Sequence, residues 1–489
     1  MREDLQVVGG FDSDPITKIN AQRTINLYPV FEQGAKKPLH LAPVPGLGAT
    51  EADFSAGGVF RGSKVHLNQT TGTESAYFAV GQRVYEMDPT ITPSLLGPST
   101  LAGVSGFVDI GTINNQVIWV DGTVVLHYKE TPAPALTTVN LLASYTGPIA
   151  PVGVTSLDGY FVIVDGASNR FFVSNLDDGT TWNSLFFARV NSESTTMKGC
   201  ARLKRRLFLF GHTVSEVWLD AGAANFPFRR DNNLLFEHGL EAPASLVEGF
   251  ERLFYLSRDR DGVGAIMMVE GTTPRPISTK TLDETIQDFN VTLDASGMVY
   301  KINGEIFYQI NFSTAQRTFV YMLSNQQWFE MSPLVENRHL GEVHVFIGEK
   351  HYMGSYLDNT LYEFSNDYLK NGDEPIRRER IMRTISSPTY NQIRIDRIQI
   401  DMLQGVGIAN LNLPNTDFDP TVFLWISEDG GLTYQSFDYA SIGKLGQRLW
   451  RTLWYRLGIR RDTIIKIVTY NSVPIYILGG SIFYEELQE

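Results

Sequence analysis

Short apolar runs, each broken by a Gly, Asp or Asn turn and followed by a second apolar run, recur between about residues 75 and 365. The first is Tyr77-Phe78-Ala79-Val80, a turn at Gly81-Gln82-Arg83, then Val84-Tyr85. Val117-Ile118-Trp119-Val120 leads through Asp121-Gly122 into Val124-Val125-Leu126. Tyr160-Phe161-Val162-Ile163-Val164 leads through Asp165-Gly166 into Arg170-Phe171-Phe172-Val173. Leu207-Phe208-Leu209-Phe210-Gly211 leads into Val217-Trp218, and looser copies begin near Leu253, Ile306 and His351. Aromatic and β-branched runs of this length, closed by turn residues, predict strands rather than helices. A spacing of about 40 to 50 residues is that of a propeller blade. The pattern predicts an all-β chain whose middle is an irregular β-propeller of six or seven blades.

The flanks read differently. Residues 1–50 hold Asn26-Leu27-Tyr28-Pro29 and Pro43-Val44-Pro45-Gly46-Leu47-Gly48, where proline fixes φ and biases the residue before it toward extended backbone. They predict an extended arm lying on another element. Residues 51–370 carry the propeller. One amphipathic helix is expected, with its N-cap at Ser278-Thr279 and its body reaching Ile286. The charge run Asp373-Glu374-Pro375-Ile376-Arg377-Arg378-Glu379-Arg380 marks a junction. Beyond it, Ile393–Met402 alternates apolar with polar positions, the pattern of a strand with one face covered, and Val422–Ser427 reads as a further strand. Residues 371–489 are therefore expected to form a β-sandwich-like unit on which the arm packs.

Composition narrows the function. The net charge is −13, which opposes tight neutralisation of many phosphates. The single Cys200 excludes an internal disulfide framework. The first residues lack the apolar core of a secretory signal, and no apolar run is long enough for a transmembrane helix. Assembly in a reducing cytoplasm fits this chain, with no membrane insertion.

The stretches that could carry chemistry each have a plainer reading. Ser427-Glu428-Asp429-Gly430-Gly431-Leu432-Thr433-Tyr434 matches the Asp-box pattern, and Ser174 to Trp182 is a stretched variant with Asp177, Gly179 and Trp182. Ser427, Asp429, Gly431 and Tyr434 are expected to stabilise a hairpin tip, since Asp and Ser bond turn amides and Gly supplies positive φ. His339, His344 and His351 come nearest to a metal cluster, but an odd spacing puts two of them on opposite faces of one strand. No metal, cofactor or catalytic residue is assigned, and no nucleophile-elbow, P-loop or dinucleotide fingerprint is present. The densest basic-aromatic stretch holds Arg448, Arg451, Trp454, Arg456, Arg460 and Arg461. It reads as a strand with Trp and Leu inward and Arg outward at a subunit contact; binding of nucleic acid by stacking and phosphate contacts is the competing reading.

The order of several motifs resembles the phage P22-type packaged DNA stabilisation family of tail hub proteins. Asn26-Leu27-Tyr28-Pro29, Pro45-Gly46-Leu47, Arg61-Gly62 and the Val80-Gly81…Val84-Tyr85 hairpin resemble the family's start. Asp158-Gly159-Tyr160-Phe161, Ser215-Glu216-Val217-Trp218, Phe226-Pro227-Phe228 and His238-Gly239-Leu240 follow in its order, and Trp454-Tyr455-Arg456-Leu457-Gly458 stands near the end. The resemblance implies a non-enzymatic virion protein of a short-tailed phage. It implies a homo-oligomeric ring, expected to be a hexamer, below the portal and its adaptor protein. Such a ring extends the DNA channel, helps retain packaged double-stranded DNA without reading its sequence, and anchors a tail needle or receptor-binding tail proteins. The lumen is expected to be neutral to acidic. The alternatives are a glycan-binding or sialidase-like propeller, which needs arginines and carboxylates on the propeller axis, and a WD40- or kelch-type scaffold, whose dipeptide signatures are missing.

Overall fold

The computed structural model describes all residues except 1, 15–19, 35–36, 55–56, 131–133, 144, 146, 192–195, 224–225, 388, 390, 409–416 and 488–489. Seven antiparallel sheets follow one another along the chain. Their inner strands are Phe60–Leu67, Asp109–Ile113, Pro151–Leu157, Met197–Leu203, Val247–Gly249, Ala295–Ile302 and Gly341–Ile347, in blades 1 to 7. Each inner strand touches the next, and the inner strand of blade 7 touches that of blade 1, so the ring is closed and has seven blades.

Alternation explains why the central strands read as unbroken apolar runs. Successive side chains point to opposite faces, and both faces of a blade are covered by its neighbours. Val117 and Trp119 of blade 2 pack toward Tyr77 and Ala79 of blade 1. Ile118 and Val120 pack the other way, against Phe161 and Ile163 of blade 3. Val162 and Val164 then meet Leu207 and Leu209 of blade 4. Each buried side chain of this size is worth about 1.5–3 kcal/mol, so the contacts between blades hold the ring together.

Blade 7 is completed by the start of the chain. Gly46–Asp53 pairs antiparallel with Thr360–Ser365, placing Leu47 opposite Phe364 and Asp53 opposite Thr360. This strand spans the division expected at residue 50. The helix is Lys280–Gln287; Thr279 caps it by accepting a hydrogen bond from the Leu282 amide, and Leu282 and Ile286 are buried.

The C-terminal unit is a sandwich of two sheets, and both recruit the arm. In one, Leu27–Phe31 and Leu39–Pro43 lead into Ile477–Glu486, Ile393–Met402 and the edge strand Thr452–Arg460, with Arg2–Leu5 beside Ile477–Glu486. In the other, Ala21–Ile25, Arg378–Ile381, Ile464–Thr469, Thr421–Ser427 and the edge strand Gln435–Ser441 lie in that order. Ile393, Ile395, Leu424, Ile426, Ile465 and Ile467 fill the space between them. A register shift between Ile395 and Arg397 moves the inward positions to Ile398 and Ile400. Ile25 also pairs in parallel with Glu330, the last residue of the outer strand of blade 6. A ten-stranded sheet thus runs from the propeller into the sandwich.

Candidate functional site

Polar side chains that are buried where the arm, propeller and sandwich meet hold the two units together. Arg23 Nε donates to Glu330 Oε1 at 2.5 Å and its Nη2 donates to Oε2 at 2.8 Å. Arg317 reaches the same carboxylate at 2.9 Å, and Arg23 also pairs with Glu336. Burial pushes the Glu330 carboxyl upward, but the two guanidiniums outweigh it and leave it below its ordinary value. Arg380 is fully buried and binds no carboxylate among the described residues; it donates to the carbonyls of Val7 (2.7 Å) and Gly10 (3.0 Å), to Gln22 Oε1 (2.6 Å) and to Thr24 Oγ1 (3.0 Å). Desolvation pulls its pKa down to about 9. Sequence reading passed over Arg23, Glu330 and Arg380 as binding elements, and no local signal marks the first pair, which is 307 positions apart.

In the first Asp-box stretch the side chains of Ser427 and Asp429 bond within their own hairpin, whereas the second stretch also bonds the neighbouring blade. Ser427 Oγ donates to Asp429 Oδ1 at 2.7 Å and accepts from the Gly431 amide at 2.8 Å. Thr433 donates to Asp429 through its hydroxyl and its amide, holding the carboxyl well below the usual range. Gly430 and Gly431 take positive φ, at 78° and 93°. Tyr434 packs against the small cluster of Ala21, Ile381 and Ile464. In the other stretch the adjacent aspartates do different things. Asp177 takes positive φ in the turn and accepts from Asn114 at 2.9 Å, whereas Asp178 accepts from the Thr180 amide at 2.8 Å. Gly179 binds Gln116 through its amide, and its carbonyl accepts from Trp182 Nε1 at 3.0 Å.

A cavity of about 900 Å³ lies on the propeller axis, lined by inner-strand residues including Lys64, Asp109, Glu248, Lys301 and Glu342. The arginines beside it are engaged within the chain. Arg61 donates to the carbonyls of Gly81, Gly103 and Gly106, and Arg338 pairs with Glu342 at 2.6 Å. His344 Nε2 lies 3.0 Å from His351 Nδ1 on the neighbouring strand of blade 7. His339 precedes that sheet; its Nδ1 accepts from the Gly341 amide at 3.2 Å. Among the described residues, no three His, Cys, Asp or Glu side chains gather as a metal site.

The basic-aromatic stretch forms the exposed edge of the sandwich. Trp454 and Leu457 enter the core, whereas Arg451, Tyr455, Arg456 and Ile459 face out. Arg456 has φ of 59°, so two exposed residues separate the two buried ones. Arg460 pairs with Glu428. Arg448, Arg451 and Arg456 make no ion pair with any described residue.

A seven-bladed ring continued by a shared sheet into a sandwich matches a known pair of domains. The chain fits "Bacteriophage P22 Gp10, beta-propeller" over residues 4–369 and "Bacteriophage P22 Gp10, beta-sandwich" over residues 380–485. The chain belongs to the bacteriophage P22 Gp10 family. Members of the P22 Gp10 family are phage structural proteins, so this chain is a virion component of the phage tail that assembles with other virion proteins. No curated protein matches it. Among solved structures it is similar to the "WD40 beta propeller domain of Doa1", with 9% identity and a TM-score of 0.38, over 66% of this chain and 97% of that one. It is also similar to "the computationally designed Ika8 protein", with 11% identity and a TM-score of 0.37, over 74% of this chain and 100% of that one.

Proposed function

We propose that this P22 Gp10 family member is a structural, non-enzymatic subunit of a ring, six-fold in symmetry, in the tail of a short-tailed phage. The ring sits below the portal and its adaptor, prolongs the DNA channel, helps retain the packaged genome and anchors the needle or receptor-binding proteins. It is built in the host cytoplasm. The observation that carries this reading is the family match to both domains, end to end along the chain.

Two physical features support it. The propeller axis holds cavities of about 900 and 700 Å³ that share Lys64, Asp109 and Glu248, each the size of a small-molecule pocket, which favours a route for DNA outside the propeller. DNA then passes through the hole enclosed by the ring, along the outside of each subunit. The net charge of −13 suits a wall along which phosphates must slide, because many Lys and Arg contacts would hold them.

Electron microscopy of the purified protein, alone and added to portal-adaptor particles, tests the reading. A ring with one propeller per subunit and a neutral to acidic lumen is expected. A chain that stays monomeric in both settings, or a lumen ringed by Arg and Lys, sinks it.

A further inference from the structure

Among the described residues both sheets of the sandwich end in an unpaired edge, and the two edges lie together. Gln435–Ser441 pairs, among the described residues, only with Thr421–Ser427, and Thr452–Arg460 only with Ile393–Met402. The two edge strands touch each other, and Trp450 Nε1 ties them by donating to the Ser441 carbonyl at 2.9 Å. Soluble proteins blunt such edges with lysine, proline or a covering element. Gln435–Ser441 contains neither lysine nor proline. The edges instead expose large apolar groups: Tyr439 is 63% exposed, Tyr455 and Ile459 are each 56% exposed, and Leu449 is 96% exposed. Around them stand Arg448, Arg451 and Arg456, with no carboxylate partner among the described residues.

The complementary charge lies elsewhere on the chain. The outer edge of blade 7 consists of Gly46–Asp53 and the small hairpin of Lys370–Asn371 with Glu374–Pro375. On this edge and the turns beside it, Glu51, Asp53, Asp358, Asp367, Asp373 and Glu374 are exposed and make no ion pair with any described residue. The chain leaves that edge directly for the junction strand Arg378–Ile381, whereas Gln435–Ser441 closes the far end of the same sandwich sheet, beyond Ile464–Thr469 and Thr421–Ser427.

We propose that the arginine-bearing double edge of the sandwich docks on the acidic outer edge of blade 7 of a second copy of this chain. The contact rests on the ring reading given above and names its two surfaces. It joins different patches on the two copies, and such head-to-tail contacts either close into rings or extend as filaments. The apolar residues supply buried area at its centre, and the arginine-carboxylate complementarity sets register and excludes other pairings.

Charge exchange tests this. Arg451→Glu with Arg456→Glu reverses one surface, and Asp373→Arg with Glu374→Arg reverses the other. Self-association is read by sedimentation velocity, with melting curves to show that each variant folds. Each pair of changes alone is expected to weaken assembly about tenfold or more. Mixing the two variants, or combining all four changes in one chain, is expected to restore it, which misfolded chains cannot do. If wild type forms rings and the single-surface variants form them equally well, the contact is wrong and the ring reading stands. Loss without rescue also overturns the contact, as do intact rings that lose only their hold on DNA, which would assign the arginines to DNA. A wild type that never forms rings removes the ring reading, and the contact with it.

Discussion

Asn26 and Ser332 bind each other twice: Asn26 Nδ2 donates to the Ser332 carbonyl at 2.6 Å, and the Ser332 amide donates to Asn26 Oδ1 at 3.1 Å. Asn26 Nδ2 also donates to the Arg377 carbonyl at 2.7 Å, so one buried amide joins the arm, blade 6 and the start of the sandwich. Its backbone has φ of 55°, a conformation that Asn tolerates better than other residues with a Cβ. Asn26→Ala is expected to cost roughly 2–4 kcal/mol, because buried carbonyls lose their donor. Asn26→Gly loses the same bonds but relieves the backbone, so it should unfold at a higher urea concentration than Asn26→Ala. Wild-type midpoints for both variants would show that this amide holds nothing.

Glu330 makes the same junction sensitive to acid. Its carboxyl is held below the ordinary value by Arg23 and Arg317 against the opposing effect of burial. A depressed folded pKa adds stability that is present above the unfolded value of about 4.3 and is lost as pH falls through the folded value. Glu330→Gln leaves two guanidiniums facing an amide and should cost about 3–5 kcal/mol at pH 7. Its loss of stability below pH 4 should be shallower than that of wild type, as measured by urea midpoints across pH.

The histidine pair of blade 7 acts at milder pH. Burial, and then the neighbouring His351, push His344 down to about 3, and burial lowers His351 as well. The unfolded chain binds protons near pH 6.5 that the fold refuses. The stability is therefore complete above that pH and declines as pH drops toward the folded values. His344→Gln with His351→Gln should flatten the fall in stability between pH 7 and pH 5, with His127 and His339, each lowered to about 4, leaving a residual slope. An unchanged slope in the double variant would refute this.

The strand Gly46–Asp53 completes blade 7, whose packing on blade 1 closes the ring. Leu47 is buried beside Phe364 and Met353 in the core between the propeller and the arm. Leu47→Ala is expected to cost about 2–5 kcal/mol. Hydrogen exchange should quicken in Thr360–Ser365, its direct partner, well before it does in blade 3. Equal acceleration in both blades would mean that the strand is not the weak seam.

The propeller was legible because its central strands are covered on both faces, so Val117–Val120 and Tyr160–Val164 appear as plain apolar runs. The blade count was not. Val247–Gly249 and Pro93–Leu95 are three-residue strands that leave no period. Gly46–Asp53, with Gly, Ala, Thr and Glu, reads as a turn until its partner is known. In the basic stretch, inward Trp454 and Leu457 follow from apolarity, but outward Tyr455 and Ile459 do not, since the positive φ of Arg456 interrupts the alternation. The Arg23–Glu330 pair left no trace in the sequence because ion-pair partners so far apart share no spacing rule.

Asp53 accepts a hydrogen bond from Asn359, 306 residues later in the chain. At about 5–20 residues per second, roughly a quarter of a minute to a minute of synthesis separates the two. Throughout that interval the nascent chain carries an arm with no partner and a stack of blades with an open seam. Neighbouring ribosomes on one message therefore hold several such chains close together at the stage when an arm from one can enter the seam of another. The rate at which this protein is made, and not only its final stability, is then expected to set how much of it closes correctly.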